Sequence, residues 1–242
     1  MQSDSSLSRI AETTREHGFA FLPGAAMREL LSAYGMTDWE SFAASWDDLG
    51  PDLYMADGGR YRRRRYATFA LDHEKTERKR HQPHYQSRDY NTLNGGIERW
   101  FEPVADNVGD HPAMQAILRL MQHFTRDMSP PSLQPETWHT EIHQFRIEAS
   151  ENGSGHPTPE GLHQDGVDWV LVLMIRRENI ASGDTTIYDL HRQPLGVFTL
   201  EQPMDAAFVD DHKVFHGVTP VYPVDPERPA WRDVLVVTLR HQ

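Results

Sequence analysis

The chain has 242 residues, 38% hydrophobic and 25% charged, with a formal net charge of −12 at pH 7. That is the profile of a folded chain with its own core, and the acidity argues against general binding to nucleic acid or an anionic membrane. Zero cysteines exclude disulfides and thiolate metal sites, so any metal must be held by His, Asp or Glu. The opening MQSDSSLSRIAETTREHG lacks the basic-then-apolar layout of a secretion signal, and no apolar run approaches the roughly 18–20 residues of a membrane span. A cytoplasmic protein is expected.

In chain order, Ser5 or Ser6 reads as the cap of a first helix reaching Glu16 and ended by His17-Gly18, followed by FAFLPG as a short strand and turn. Helical patterns follow in AMRELLSAYG and DWESFAASWDDL, then a strand-like YRRRRYATFAL. The polar stretch from Asp72 to Arg88 reads as a mobile surface loop. His111 to Met128 carries Ala113, Ile117, Leu120, Met121 and Phe124 at helical spacing and is the main helix. SPPSLQPETW marks a boundary. Beyond it the pattern changes to short β-like runs: WHTEIHQFRIEA, HQDGVDWVLVLMI, DTTIYDL, GVFTLE, DAAFVDD, KVFHGVTPVYP and WRDVLVVTLR. The expected fold is mainly β with α, a sandwich or jelly-roll (cupin-like) core with N-terminal helices packed on one sheet. One domain is expected over 1–242: 1–137 as mostly helical support and substrate-side elements, 138–242 as the jelly-roll core.

His163 and Asp165 stand one residue apart at the mouth of the apolar run DWVLVLMI. On a strand both side chains leave the same face, about 6–7 Å apart at the backbone, so they can converge on one ion. His216, 51 positions after Asp165 and flanked by apolar residues, offers a third ligand. Two histidines and one carboxylate on one face leave open positions, the pattern of non-heme Fe(II) oxygenases. Asp168 falls on the other strand face and reads as structural. Such an iron needs a reductant for O2. A 2-oxo acid chelates the metal, and its far carboxylate needs a fixed cation, for which an arginine fork is suited. Arg232 begins the last strand, with Thr238 and Arg240 on its face at even spacing.

The segments LHQDGVDWVLVL, KVFHGVTPV, WRDVLVVTLR, YNTLNGGIERWFEP and IHQFRI resemble the bacterial isoleucine 4-hydroxylase (isoleucine dioxygenase) family of Fe(II)/2-oxoglutarate-dependent oxygenases. The likeness runs from about Tyr90 to the C-terminus and is strongest after Ile142; the first ninety residues match loosely. It implies a double-stranded β-helix, the triad His163, Asp165 and His216, and Arg232 as the 2-oxoglutarate anchor. It also implies hydroxylation of a free L-amino acid or small derivative, with Fe(II), 2-oxoglutarate and O2 consumed to give succinate and CO2. Related halogenases carry Gly or Ala in place of the carboxylate, so Asp165 favours hydroxylation.

An amino-acid substrate needs a cation for its carboxylate, an acceptor for its ammonium and an apolar wall. Gln144 and Arg146, sharing a face of IHQFRI, are the first candidates. Arg63 or Arg65, Tyr61 and Tyr66 come next, and Trp100, in a segment read as a lid or wall, could pack against the substrate. Two rivals keep the same residues: a protein or peptide side-chain hydroxylase, and a non-catalytic cupin-like metal- or metabolite-binding module. A third reads the cluster Arg60 to Arg65 as an RNA-contacting patch. The preferred partner is a small molecule, with no nucleic acid and no membrane; homo-oligomerisation is left open.

Overall fold

The computed structural model describes residues 2–130, 132, 134–150 and 153–241. Of the boundary read at 129–138, positions 131 and 133 lie outside the described residues. Helix α1 (Gln2–His17) starts ahead of Ser5 and Ser6, which therefore lie inside it and not at its cap. It is followed by β1 (Phe19–Leu22), α2 (Gly24–Ala33), α3 (Trp39–Ala44) and a 3-10 turn at Ser45–Asp48. Next come β2 (Arg62–Leu71), β3 (Thr76–Arg78), the short α4 (Asp106–Gly109) and α5 (Pro112–Met128). Pro112 sits in the first turn of α5, where no N–H partner is lost, and His111 Nδ1 accepts from the Ala113 N–H at 3.2 Å.

The β-rich half holds β4 (Trp138–Ala149), β5 (Trp169–Glu178), β6 (Ile180–Ser182), β7 (Asp184–Asp189) and β8 (Pro194–Thr199). It continues with β9 (Ala206–Asp210), β10 (Val214–Val218), β11 (Val221–Pro223) and β12 (Ala230–His241). Among the described residues, seven strands form one sheet in the order β1-β9-β5-β12-β4-β2-β3, opposed by a three-stranded sheet β10-β7-β8 and a pair β11-β6. Every ladder pairing is antiparallel. This is the jelly-roll expected from the strand pattern.

Strand parity decides what each face does. Leu171 and Leu173 of β5, Leu235, Val237 and Leu239 of β12, and Phe208 of β9 pack into one core with Leu7, Leu31, Phe42, Ile117, Leu120 and Phe124 of the helices. Burying each large apolar side chain contributes about 1.5–3 kcal/mol, so this face anchors the sheet. The alternate residues Val170 and Val172, Val234 and Val236 point the other way, toward the smaller sheets. A bulge between Asp233 and Val234 breaks the β12–β5 register. The buried indole N–H of Trp46 donates there, 3.1 Å from the Phe145 carbonyl and 3.3 Å from that of Val234. No helix among the described residues is long and apolar enough to cross a membrane.

Candidate active site

Between the helix-free face of the main sheet and the smaller sheets lies a cavity enclosing about 980 Å³, its open mouth included. His163, Asp165 and His216 meet in its wall, with ligating atoms all within 4.8 Å of one another. His163 and His216 exchange both backbone hydrogen bonds, at 3.0 and 2.9 Å, which sets their ring centroids 4.5 Å apart. His163 Nδ1 lies 3.0 Å from the Gly161 carbonyl. Only a protonated Nδ1 can donate there, which leaves the Nε2 lone pair for a metal.

Asp165 is not on a strand, contrary to the reading of His-x-Asp. It occupies a loop before β5. The buried carboxylate of Asp211 holds that loop, accepting the N–H groups of Asp165 at 2.9 Å, Gly166 at 2.7 Å and Val167 at 3.1 Å. Gly166 has φ +79° and a Cβ there would stand 2.5 Å from the Tyr90 ring, so only glycine fits the turn.

Asp165 carboxylate oxygens stand 3.6 Å from His163 Nε2 and 3.4 Å from His216 Nε2. Those separations are long for hydrogen bonds, and buried His216 Nε2 has no partner. They suit donors sharing one ion: ligands about 2.1 Å from a metal sit roughly 3.0–3.5 Å apart. Without a cation, protons do its work. Burial opposes a charged His216, yet Asp165 and Asp211 push its pKa up to about 10. Burial likewise opposes ionisation of Asp165, and the two imidazoles outweigh it, holding the carboxyl well below its usual range. A divalent cation replaces those protons with a better-matched charge.

Arg232 lies at one end of the same cavity, 2% exposed, with Nε and Nη1 lacking any partner. Burial and the neighbouring Arg177 bring its pKa down to about 10. A guanidinium buried without a counter-ion costs several kcal/mol, which a bound carboxylate offsets. Thr238 and Arg240 do share the Arg232 face, but six and eight residues of strand are roughly 20 and 26 Å. No five-carbon diacid held by Arg232 reaches them. Thr238 lines the far end of the cavity beside Glu141, its paired residue on β4, and Arg240 is exposed over a neighbouring cleft.

The other expected substrate residues lie outside the cavity. On β4 it is Glu141, His143, Phe145 and Ile147 that face inward, so Gln144 and Arg146 point toward the helices. Gln144 donates to Ser45 Oγ at 3.1 Å, and Arg146 grips Asp233 through Nε and Nη2 at 2.7 and 2.8 Å. The parity of β2 is reversed in the same way: Arg63 pairs with Glu148 and Arg65 with Asp48, while Arg62 and Arg64 line the cavity. Tyr61 donates to Asp57 at 2.6 Å, and Trp100 is 52% exposed against His81. With Arg62 also salt-bridged, to Asp52 at 2.8 Å, four of the five clustered arginines are committed within the fold and form no continuous solvent-facing basic strip.

The structure supplies residues that composition hid. The Asp72–Arg88 stretch is not a bare surface loop: His84 reaches Glu141 at 3.0 Å, and Gln86 donates to the Asp165 carbonyl at 2.9 Å. Glu141 is further held by the Tyr66 hydroxyl at 2.8 Å, with His143 and His139 at 3.4 and 3.3 Å. His84, Glu141 and His143 make a second three-residue cluster of metal-ligating types. Here, unlike the first, the carboxylate is already bonded by protein donors. Arg64 donates to His143 Nδ1 at 2.6 Å, which fixes that imidazole as the neutral Nε2–H tautomer. Arg99, Asn91 and Glu160 complete the wall on this side.

A family model described as 2OG-Fe dioxygenase matches residues 43–238. The chain is 29% identical over 233 residues to 3(1)-hydroxy-L-isoleucine 4-dioxygenase of Pantoea ananatis, covering 92% of each. It is 28% identical over 160 residues to L-isoleucine-4-hydroxylase of Bacillus thuringiensis, covering 66% of this chain and 65% of that one. A crystal structure of a bsmA homologue from Methylobium petroleophilum superposes with a TM-score of 0.86 at 37% identity, covering 97% of this chain and 93% of the other.

Proposed function

The chain belongs to the 2OG-Fe dioxygenase family, and on that footing we propose that His163, Asp165 and His216 hold its iron, Arg232 anchors 2-oxoglutarate, and a free L-amino acid or small derivative is the substrate. The enzyme works with Fe(II), 2-oxoglutarate and O2. When bound, iron couples decarboxylation of 2-oxoglutarate to succinate and CO2 with insertion of one oxygen atom into an unactivated C–H bond. The chain's own contribution is placement. Gly161 and Asp211 fix the tautomer and loop that present the ligands. Arg232 orients the cosubstrate by its far carboxylate, and Val170, Val172, Val234 and Val236 keep the intervening wall apolar.

One observation carries this reading: an unpartnered, buried guanidinium lies in the same cavity as three converging metal donors. The amino-acid substrate is supported by the names of two relatives, both acting on isoleucine or a hydroxyisoleucine. We also read residues 1–242 as one catalytic unit, since α1, α5 and the main sheet share a single core.

The test is a panel of proteinogenic amino acids, their N-acyl derivatives and short peptides, scored by mass spectrometry for a gain of one oxygen and by succinate release. Turnover is expected only with Fe(II), 2-oxoglutarate and O2 together, on a free amino acid or a small derivative of one, and none in His163→Ala. Turnover surviving in that variant sinks the ligand assignment. Oxidation of peptides in preference to free amino acids replaces the substrate class.

A further inference from the structure

Besides Arg232, the cavity wall holds two more buried guanidiniums with spare donors, and both lie on the side formed by β2 and the 84–103 segment. Arg99 is 2% exposed, and its backbone exchanges hydrogen bonds with His84 at 2.9 and 3.0 Å. Its Nε and Nη2 have no partner. Those two N–H groups form one edge of the guanidinium, the parallel pair that takes both oxygens of a carboxylate. Arg64, 3% exposed, is packed between the rings of Phe101 at 3.5 Å and Phe145 at 4.5 Å and also leaves Nε unpartnered. The nearby acid Asp52 is taken by Arg62 at 2.8 Å and stands 3.7 Å from Arg64. Opposite in charge, Glu160 lines the same cavity with Oε1 3.6 Å from His163 Nε2, and its buried Oε2 has no partner.

Unpartnered cationic donors and an unpartnered carboxylate oxygen in one enclosed wall are costly in an empty protein and match a zwitterion. We propose that the free edge of Arg99, with Arg64 Nε beside it, binds the α-carboxylate of the amino-acid substrate and that Glu160 Oε2 accepts from its ammonium. This rests on the amino-acid reading above and deepens it. It separates two carboxylate receptors in one cavity: Arg232 for the cosubstrate, Arg99 for the substrate. It also demands that both head groups be free, which excludes peptides and N-acylated amino acids.

The experiment is calorimetric titration of the full chain, loaded with Fe(II) and 2-oxoglutarate under nitrogen, with L-isoleucine, L-isoleucinamide and N-acetyl-L-isoleucine, and with the other free amino acids if isoleucine gives no heat. The wild-type chain is expected to bind the amide and the N-acetyl compound on the order of 10²-fold more weakly than the free acid. Arg99→Met is expected to weaken the free acid by a similar factor, to leave amide binding unchanged and to leave 2-oxoglutarate affinity within twofold. Glu160→Gln is expected to weaken the free acid and not the N-acetyl compound, at unchanged iron content. Arg99→Lys, which keeps the charge and loses the fork, is expected to fall between wild type and Met.

If no free amino acid binds the wild-type chain, the substrate reading itself fails. If free acid and amide bind alike, or Arg99→Met shifts 2-oxoglutarate instead, only the assignment of Arg99 fails. Loss of iron from Glu160→Gln makes that residue a ligand and ends its role as ammonium acceptor. The wild-type comparison needs no variant, so it decides the carboxylate contact even where Arg99→Met does not fold.

Discussion

Asp211→Asn tests whether the loop that presents Asp165 is held from behind. In the wild-type chain one buried carboxylate accepts three consecutive backbone N–H groups, at 2.9, 2.7 and 3.1 Å. Asparagine keeps a carbonyl oxygen for the Asp165 N–H and turns its amide NH2 toward the donors of Gly166 and Val167. Two hydrogen bonds to a charged acceptor are lost, each about 1.5–3 kcal/mol. The loop is partly open to solvent, so water recovers some of this. A net local cost of about 3 kcal/mol is expected, which lets the loop leave its bound geometry. Metal binding must then reorder it, so affinity falls by the same free energy, about 10²-fold, within the 10–100-fold range of residues that orient ligands. The assay is competition between the protein and a chelator for Fe(II) or Zn(II), with circular dichroism as the check on folding. A folded Asp211→Asn protein with metal affinity within twofold of wild type refutes the claim that Asp211 positions the ligand.

The parts of the site that were legible in the sequence were those where a metal-ligating side chain borders an apolar run or a strand is covered on one face by helices. His163 and His216 stood out because imidazoles flank apolar runs, and the inward parity of β12 followed from Arg232, which a buried strand has no reason to carry unless it points at something. The boundaries of β4 were equally plain. Its facing was not, because Trp138, His139, Thr140, Ile142, His143 and Gln144 are all buried. A strand covered on both sides shows no alternation, and a one-residue error in parity exchanges its two faces. That error put Arg146 and Gln144 in place of Glu141 and His143, and a separate error of the same kind on β2, which pairs with β4 in the register Arg64↔Phe145, put Arg63 and Arg65 in place of Arg62 and Arg64. The Asp72–Arg88 segment misled for a different reason. Composition treats charge as exposure, while here His84 and Gln86 meet partners 57 and 79 residues away and are covered by them. Pairing over such distances leaves no local mark in the chain.

Arg232→Met is expected to raise the 2-oxoglutarate Kd by about 10²-fold or more, because a charge-assisted carboxylate contact is replaced by a thioether; calorimetry under nitrogen reads it, and an unchanged Kd removes Arg232 as the anchor. Arg146→Met is expected to cost about 3 kcal/mol in urea unfolding, since buried Asp233 loses its bidentate partner and keeps only Arg176, while substrate KM stays constant. A changed KM with unchanged stability would return Arg146 to the substrate site. The last prediction concerns pH. Burial pushes the His143 pKa down to about 3, and burial lowers His84 as well. Below the ordinary histidine pKa of about 6.5 the unfolded chain takes up protons that the folded chain refuses, so stability falls as pH falls. Glu141, held well below its usual range in the fold, adds a loss of the same sign only below about 4.5. His163 and His216, both raised in the metal-free chain, act with the opposite sign, and their share fades within about one pH unit below 6.5 as the unfolded imidazoles become fully protonated. In the window from about pH 6.5 to 4.5 His143 contributes at most about 1.4 kcal/mol per pH unit, and a variant that lacks it separates its share from those of Asp210 and Asp233, whose carboxyls burial raises and which act with the opposite sign. His143→Gln preserves an acceptor for Arg64 and a donor for Glu141 and carries no titrating group. Denaturant unfolding across that window should show a shallower slope in the variant, and an identical slope in both proteins would mean that His143 is not held neutral by the fold.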